Sequence, residues 1–169
     1  MKNIFKIPAW AIVIGAVLIF SSTVNAAGKA AEKPSAEKQV PYAADFTLKD
    51  LKGNSVTLSS FKGKKALLVF SATWCPYCVA EIPDLNAFYD KHQDKDVKLI
   101  NVDIQESIAK VTAFAEKHKI KYTVVLDADG KVAGKYEVYG IPTIILIDED
   151  GIIKYRGSRP KAGFEELLK

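Results

Sequence analysis

Two cysteines, Cys75 and Cys78, stand between an uninterrupted apolar run, Ala66–Phe70, and a stretch with helical periodicity that begins at Pro76. They are the only cysteines in the chain, and their placement constrains the fold more than any other feature. An apolar run of strand length without alternation reads as a central strand covered on both faces. From Pro76 to about His92, the residues Cys78, Ile82, Leu85 and Tyr89 recur at steps of four, three and four, which is one face of a helix. Pro83 lies inside that helix and is expected to kink it. The cysteines therefore fall where a buried strand hands over to a helix. A helix N-terminus carries unpaired N–H groups and about half a positive charge, so a thiolate placed there is stabilised. Cys75, at the helix start, is expected to be the exposed nucleophile, and Cys78, one turn in, to be shielded. Their spacing puts both sulfurs on one face, close enough to bond. Pro76 in the first turn gives up no needed N–H. Trp74 is placed to cover the pair and to offer a flat apolar surface to a partner.

Other readings of the pair stand beside this one. Two cysteines can be plain buried residues or a structural disulfide, although so short a loop gains little chain-entropy stabilisation. Half of a zinc site would need two more ligands. The only histidines, His92 and His118, are expected on or near solvated helix faces.

The rest of the chain organises around this segment. Residues 1–26 have the order of a secretory signal peptide. Lys2 and Lys6 precede an uncharged run, Ile7–Phe20, and a small-residue site follows at Val24-Asn25-Ala26. The rival reading is an uncleaved membrane anchor, but fourteen residues make a helix of only about 21 Å against a bilayer core of about 30 Å. Either way the body is expected outside the cytoplasm, where disulfides persist. Cleavage after Ala26 would leave 143 residues (169 less 26) and lower the formal charge from +4 to +2 by removing Lys2 and Lys6. Residues 27–40 are read as a flexible linker, because Ala27–Gln39 holds no large apolar side chain. Residues 41–169 are read as one domain. The positive balance is too small and too dispersed for nucleic-acid binding.

Within that domain, Asp45–Leu48 and Ser55–Leu58 flank Lys52-Gly53-Asn54 and predict a hairpin, with a turn over Ser59–Gly63. Val97–Asp103 predicts a strand. Ser107–His118 predicts a helix with Ile108, Val111, Ala115 and His118 on one side. Tyr122–Leu126 predicts a strand or an extended segment. Thr143–Ile147 and Ile152–Arg156 predict a second hairpin around the acidic turn Asp148–Gly151, and Phe164–Leu168 a short last helix. Strands alternating with helices, then a hairpin, indicate an α/β fold with a mixed sheet flanked by helices. The acidic runs Asp127–Gly130 and Asp148–Gly151 are too short for a calcium loop and read as turns.

From about Pro41 to Lys169 the chain resembles the exported thioredoxin-like proteins of the TlpA/ResA-like thiol–disulfide oxidoreductase kind. Four segments carry the resemblance: Trp74-Cys75-Pro76-Tyr77-Cys78 after the apolar strand, the entry Asp45–Leu48 with Gly53 and Ser59–Gly63, Glu81-Ile82-Pro83, and Tyr139-Gly140-Ile141-Pro142-Thr143 before a strand. The resemblance implies a thioredoxin-like fold with an N-terminal β-hairpin extension, and a cis Pro142 facing the two cysteines. It implies thiol–disulfide exchange at Cys75 and Cys78, and a partner surface made of Trp74, Pro76, Tyr77, Ile141 and Pro142. No cofactor is implied beyond the two sulfurs. The expected partners are proteins with disulfides or thiols and a membrane thiol–disulfide electron donor. The short last helix is consistent with a monomer.

Two departures from the family pattern bear on function. Ser71 stands where an aromatic residue is common, so a more open site is expected. Val69 stands where many thioredoxins carry a buried acid and cannot move a proton, which leaves Glu81, one turn past Cys78, as the candidate proton acceptor. The motif names the reaction but not its direction. Pro-Tyr between the cysteines also occurs in glutaredoxins, with potentials of about −200 to −230 mV. Most TlpA/ResA-like relatives reduce, many of them acting in cytochrome c or metal-centre maturation, and a reductase is therefore expected. The alternatives are a disulfide oxidase or isomerase, a thiol peroxidase, or a Cu(I) carrier, for which two thiolates are suited.

Overall fold

The computed structural model describes residues 41–95 and 97–169. The signal or anchor expected at 1–26 and the linker expected at 27–40 lie outside the described residues. Seven strands form one sheet: β1 (Thr47–Asp50), β2 (Ser55–Thr57), β3 (Lys65–Ser71), β4 (Val97–Ile104), β5 (Thr123–Asp127), β6 (Thr143–Ile147) and β7 (Ile153–Gly157). Their spatial order is β2-β1-β5-β4-β3-β6-β7. β3, β4 and β5 run parallel, and the remaining pairings are antiparallel. Three α-helices lie among the described residues: α1 (Pro76–His92), α2 (Ile108–Lys117) and α3 (Lys131–Lys135). None is long and apolar enough to cross a membrane.

β3 sits between β4 and β6 and explains the apolar run. Ala66, Leu68 and Phe70 enter one core layer with Tyr136 and Val132 of the α3 region. Leu67 and Val69 alternate into the other, against Leu85 and Phe88 of α1 and Val111 of α2. Burial on both faces requires apolar residues at every position. The N-terminal hairpin forms as expected and extends the sheet by pairing β1 with β5. Its turn is local chemistry: the Asp50 carboxylate accepts the N–H groups of Lys52 and Asn54, each at 2.8 Å, and Gly53 takes φ +85°. At the opposite pole from the end of β3, the incoming chain pairs Tyr42 with Ile152, and Ile153 N–H donates to Pro41 O at 2.9 Å.

Several expectations need correction. α3 was not predicted; five residues are too few to show a helical period. It exists because Asp127, fully buried at the end of β5, accepts the N–H groups of Val132 and Ala133 at 3.1 and 2.7 Å. Asp127 is thus a helix cap rather than only part of a turn. The Ser59–Gly63 turn begins as a 3-10 helix over Leu58–Phe61, and the last helix, Phe164–Leu168, is also 3-10. Ile108 is half exposed, and Val111 alone is fully buried on α2. His92 does not face solvent. It is 7% exposed, stacks on Phe88 and meets the Glu165 carboxylate at 3.0 Å, tying the last 3-10 turn to α1. α1 spans Pro76–His92 with Pro83 inside it, as expected.

Candidate active site

Cys75 and Cys78 form a disulfide with their Cα atoms 5.3 Å apart. Cys75 caps α1: its backbone is extended, and its sulfur accepts the Cys78 N–H at 3.2 Å. Pro76 takes the first helical position, where no N–H is needed. The sulfur therefore occupies the place of a capping oxygen, in the positive field of the helix end.

Cys75 is not exposed as expected. It is 3% exposed and Cys78 is 7% exposed, while Trp74 and Tyr77 stand out at 68% and 77%. The reason is the opposite wall. The Ile141–Pro142 peptide is cis, and Ile141 O lies 3.8 Å from Cys75 Sγ. Beyond it, a groove of about 520 Å³ runs between Trp74, Ile104, Gln105, Gly134, Tyr139 and Ile141. Ile141 thus borders both Cys75 Sγ and the groove, Trp74 lines the groove, and Pro76 and Tyr77 are exposed.

Ser71 does not open the site outward. It is buried and donates its hydroxyl to Asn101 Oδ1 at 2.8 Å. Its small side chain leaves an internal cavity of about 20 Å³ beneath Cys78 instead, lined also by Asn101, Asp103, Tyr122 and apolar side chains. Glu81 is buried, with Oε2 unpaired. Burial pushes its carboxyl above the usual carboxylate range, with Arg159 opposing and Asp84 adding to the rise.

Two acids escaped the sequence reading. Glu106, with a side chain 4% exposed, accepts Thr73 N–H at 2.5 Å and Thr73 Oγ1 at 2.8 Å, and pairs with Lys110 Nζ at 2.5 Å. It fastens the turn that delivers Trp74 and Cys75. Burial works to raise its carboxyl, but the hydrogen bonds from Lys110 and Thr73 prevail and hold it low. Asp103 is 3% exposed with Oδ1 unpaired, and burial first, then the charge of Glu106, push its carboxyl up to about 7 against the pull of Lys110. Period-two alternation along β4 was the available signal for Asp103, since it shares the inward face of Leu99 and Asn101.

A sulfur pair capping a helix after a central parallel strand, faced by a cis-proline, on a mixed sheet of this order, defines a thioredoxin-like redox protein. Residues 40–156 match the AhpC/TSA family, and the chain belongs to that family. Thiol-disulfide oxidoreductase ResA of Bacillus thuringiensis subsp. konkukian is 36% identical over 140 residues, covering 82% of this chain and 79% of the relative. Sporulation thiol-disulfide oxidoreductase A of Bacillus subtilis is 34% identical over 121 residues, covering 70% and 73%. The thioredoxin domain of a thiol-disulfide oxidoreductase from Bacteroides vulgatus superposes with a TM-score of 0.70 at 31% identity, over 76% of this chain and 94% of that one. The fold, the sulfur pair and these relatives make the chain a thiol–disulfide oxidoreductase.

Proposed function

We propose that the protein reduces disulfides of exported partner proteins, as in cytochrome c or metal-centre maturation. The observation that carries this reading is the Cys75–Cys78 pair at the head of α1, opposed by Ile141. When the pair is reduced, the Cys75 thiolate attacks one sulfur of a partner disulfide, and the other partner sulfur leaves as a thiolate. Cys78 then loses its proton and attacks Cys75 Sγ. The mixed disulfide breaks, the second partner sulfur leaves, and two electrons have passed to the partner. The two sulfurs need no further cofactor for this.

Trp74, Pro76, Tyr77, Ile141 and Pro142 form the partner surface in this reading. A partner segment lies in the groove beside Trp74 and Ile141, which places its sulfur over Cys75. Glu81, next to Cys78 on the buried face of α1, is a candidate acceptor for the Cys78 proton. The protein acts as a monomer outside the cytoplasm and is recharged by a membrane thiol–disulfide donor. Export is supported by the order of residues 1–26: basic start, apolar middle, small-residue cleavage site.

The equilibrium redox titration of the pair tests the direction. A potential at or below about −250 mV, towards that of thioredoxin, supports the reductase. A potential near about −120 mV, that of a strong oxidant, overturns it in favour of a disulfide donor.

A further inference from the structure

Val69 occupies the place of a buried acid, yet a carboxyl reaches the same layer from the neighbouring strand. The parallel pairing of β3 and β4 sets Val69 beside Asn101 and Ser71 beside Asp103. All four line the cavity beneath Cys78. Asn101 is already engaged by the Ser71 hydroxyl, whereas Asp103 Oδ1 has no hydrogen-bond partner. A carboxyl oxygen buried without a donor is costly and uncommon. The cavity, about 20 Å³, has room for a single water; its walls are mostly apolar, and Ser71, Asn101, Asp103 and Tyr122 are the polar residues among them.

We propose that Asp103 accepts the proton of Cys78 across this cavity, through one water, when the pair resolves its mixed disulfide. The inference rests on the exchange reaction proposed above. The proton leaves Cys78 Sγ for the water, and a water proton passes to the Asp103 carboxylate. The Cys78 thiolate attacks Cys75 Sγ, the Cys75–partner bond breaks, and the partner leaves as a thiolate. Asp103 is left protonated and returns the proton when the pair is next reduced. A thiolate and a carboxylate sharing a small buried cavity repel, so ionisation of one favours protonation of the other.

The groups facing Asp103 fit this task. Glu106, from the loop after β4, raises its carboxyl, and Lys110 of α2 opposes that rise. Cys78 comes from α1, and Tyr122, from the segment before β5, has a phenol that burial and then the charge of Glu81 raise. Glu81, the candidate named above for this proton, is not among the residues lining this cavity, and the assignment to Asp103 replaces it. A carboxyl poised near 7 suits a base working at neutral pH.

Stopped-flow oxidation of the reduced protein by dithiobis(nitrobenzoate) separates the steps. The first thionitrobenzoate reports attack by Cys75, and the second reports attack by Cys78. In Asp103→Asn the first phase stays within about twofold, and the second slows roughly tenfold or more and loses its inflection near pH 7. A second phase with unchanged rate and pH profile overturns the inference. If the wild type itself releases no second equivalent, the exchange reading falls instead. A measurement independent of the variant's folding is the carboxyl ¹³C titration of Asp103 in the wild type. A second inflection confined to the reduced protein supports the coupling, and identical curves in both redox states overturn it.

Discussion

Replacing Glu106 with alanine removes the acceptor that fastens the turn ahead of Cys75. The wild-type carboxylate takes two hydrogen bonds from Thr73, at 2.5 and 2.8 Å, with a side chain 4% exposed. Hydrogen bonds to a charged group contribute about 1.5–3 kcal/mol each. The Lys110 ammonium is 56% exposed, so its ion pair adds about 0–1 kcal/mol. Water entering the vacated site restores part of the loss, and the expected destabilisation is about 3 kcal/mol at pH 7. The carboxyl is held below its ordinary 4.5 in the folded protein. The stabilisation is therefore complete above the unfolded-state value and is lost as pH falls through the lowered folded value. Guanidinium unfolding of wild type and Glu106→Ala at pH 7 and pH 3 measures this directly. A difference below about 1 kcal/mol at pH 7, or one that grows in acid, refutes the assignment.

Three further outcomes are expected. Asp127→Ala uncaps α3 and costs about 2 kcal/mol in denaturant unfolding, and a loss below about 0.5 kcal/mol contradicts the capping role. Trp74→Ala leaves stability within about 0.5 kcal/mol, because the side chain is 68% exposed. The same variant slows reduction of a protein disulfide roughly tenfold while leaving the reaction with dithiobis(nitrobenzoate) unchanged, and equal effects on both would remove Trp74 from the partner surface. Glu81→Gln gains stability relative to wild type as pH rises from 4 to 8, because a buried carboxyl with a raised folded pKa weakens the wild type on ionising. A pH-independent difference in melting temperature would show that Glu81 is not desolvated.

What was legible in the sequence follows from length and periodicity. β3 announced itself because both of its faces are buried, and α1 because Cys78, Ile82, Leu85 and Tyr89 recur at helical steps over about three turns, although Phe88 rather than Tyr89 is the fully buried residue there. The two hairpins were carried by turn residues at Gly53 and Asp148–Gly151. α3 was not legible, because a five-residue helix held by one aspartate has no period to read. His92 and Cys75 were misjudged for one reason: burial was inferred from their own helix, but each is covered by a segment distant in sequence, Glu165 and Ile141 respectively. Asp103 and Glu106 look like ordinary acids near a strand end. Their surroundings arise only when β4 is set beside β3, which brings Asp103 next to Ser71, and when the turn at Thr73 meets Glu106.

The place where the chain enters the sheet has a mechanical consequence. Pro41 and Tyr42 join at Ile152–Ile153, beside the β6–β7 turn, whereas the sulfurs lie past the other end of β3. A seven-residue strand separates the two poles by about 20 Å. Anything that holds residues upstream of Pro41 therefore pulls on the pole remote from the sulfurs. A leash attached there would leave the Trp74 and Tyr139 rim pointing outward, able to sweep past partners without shielding itself against the surface that holds it.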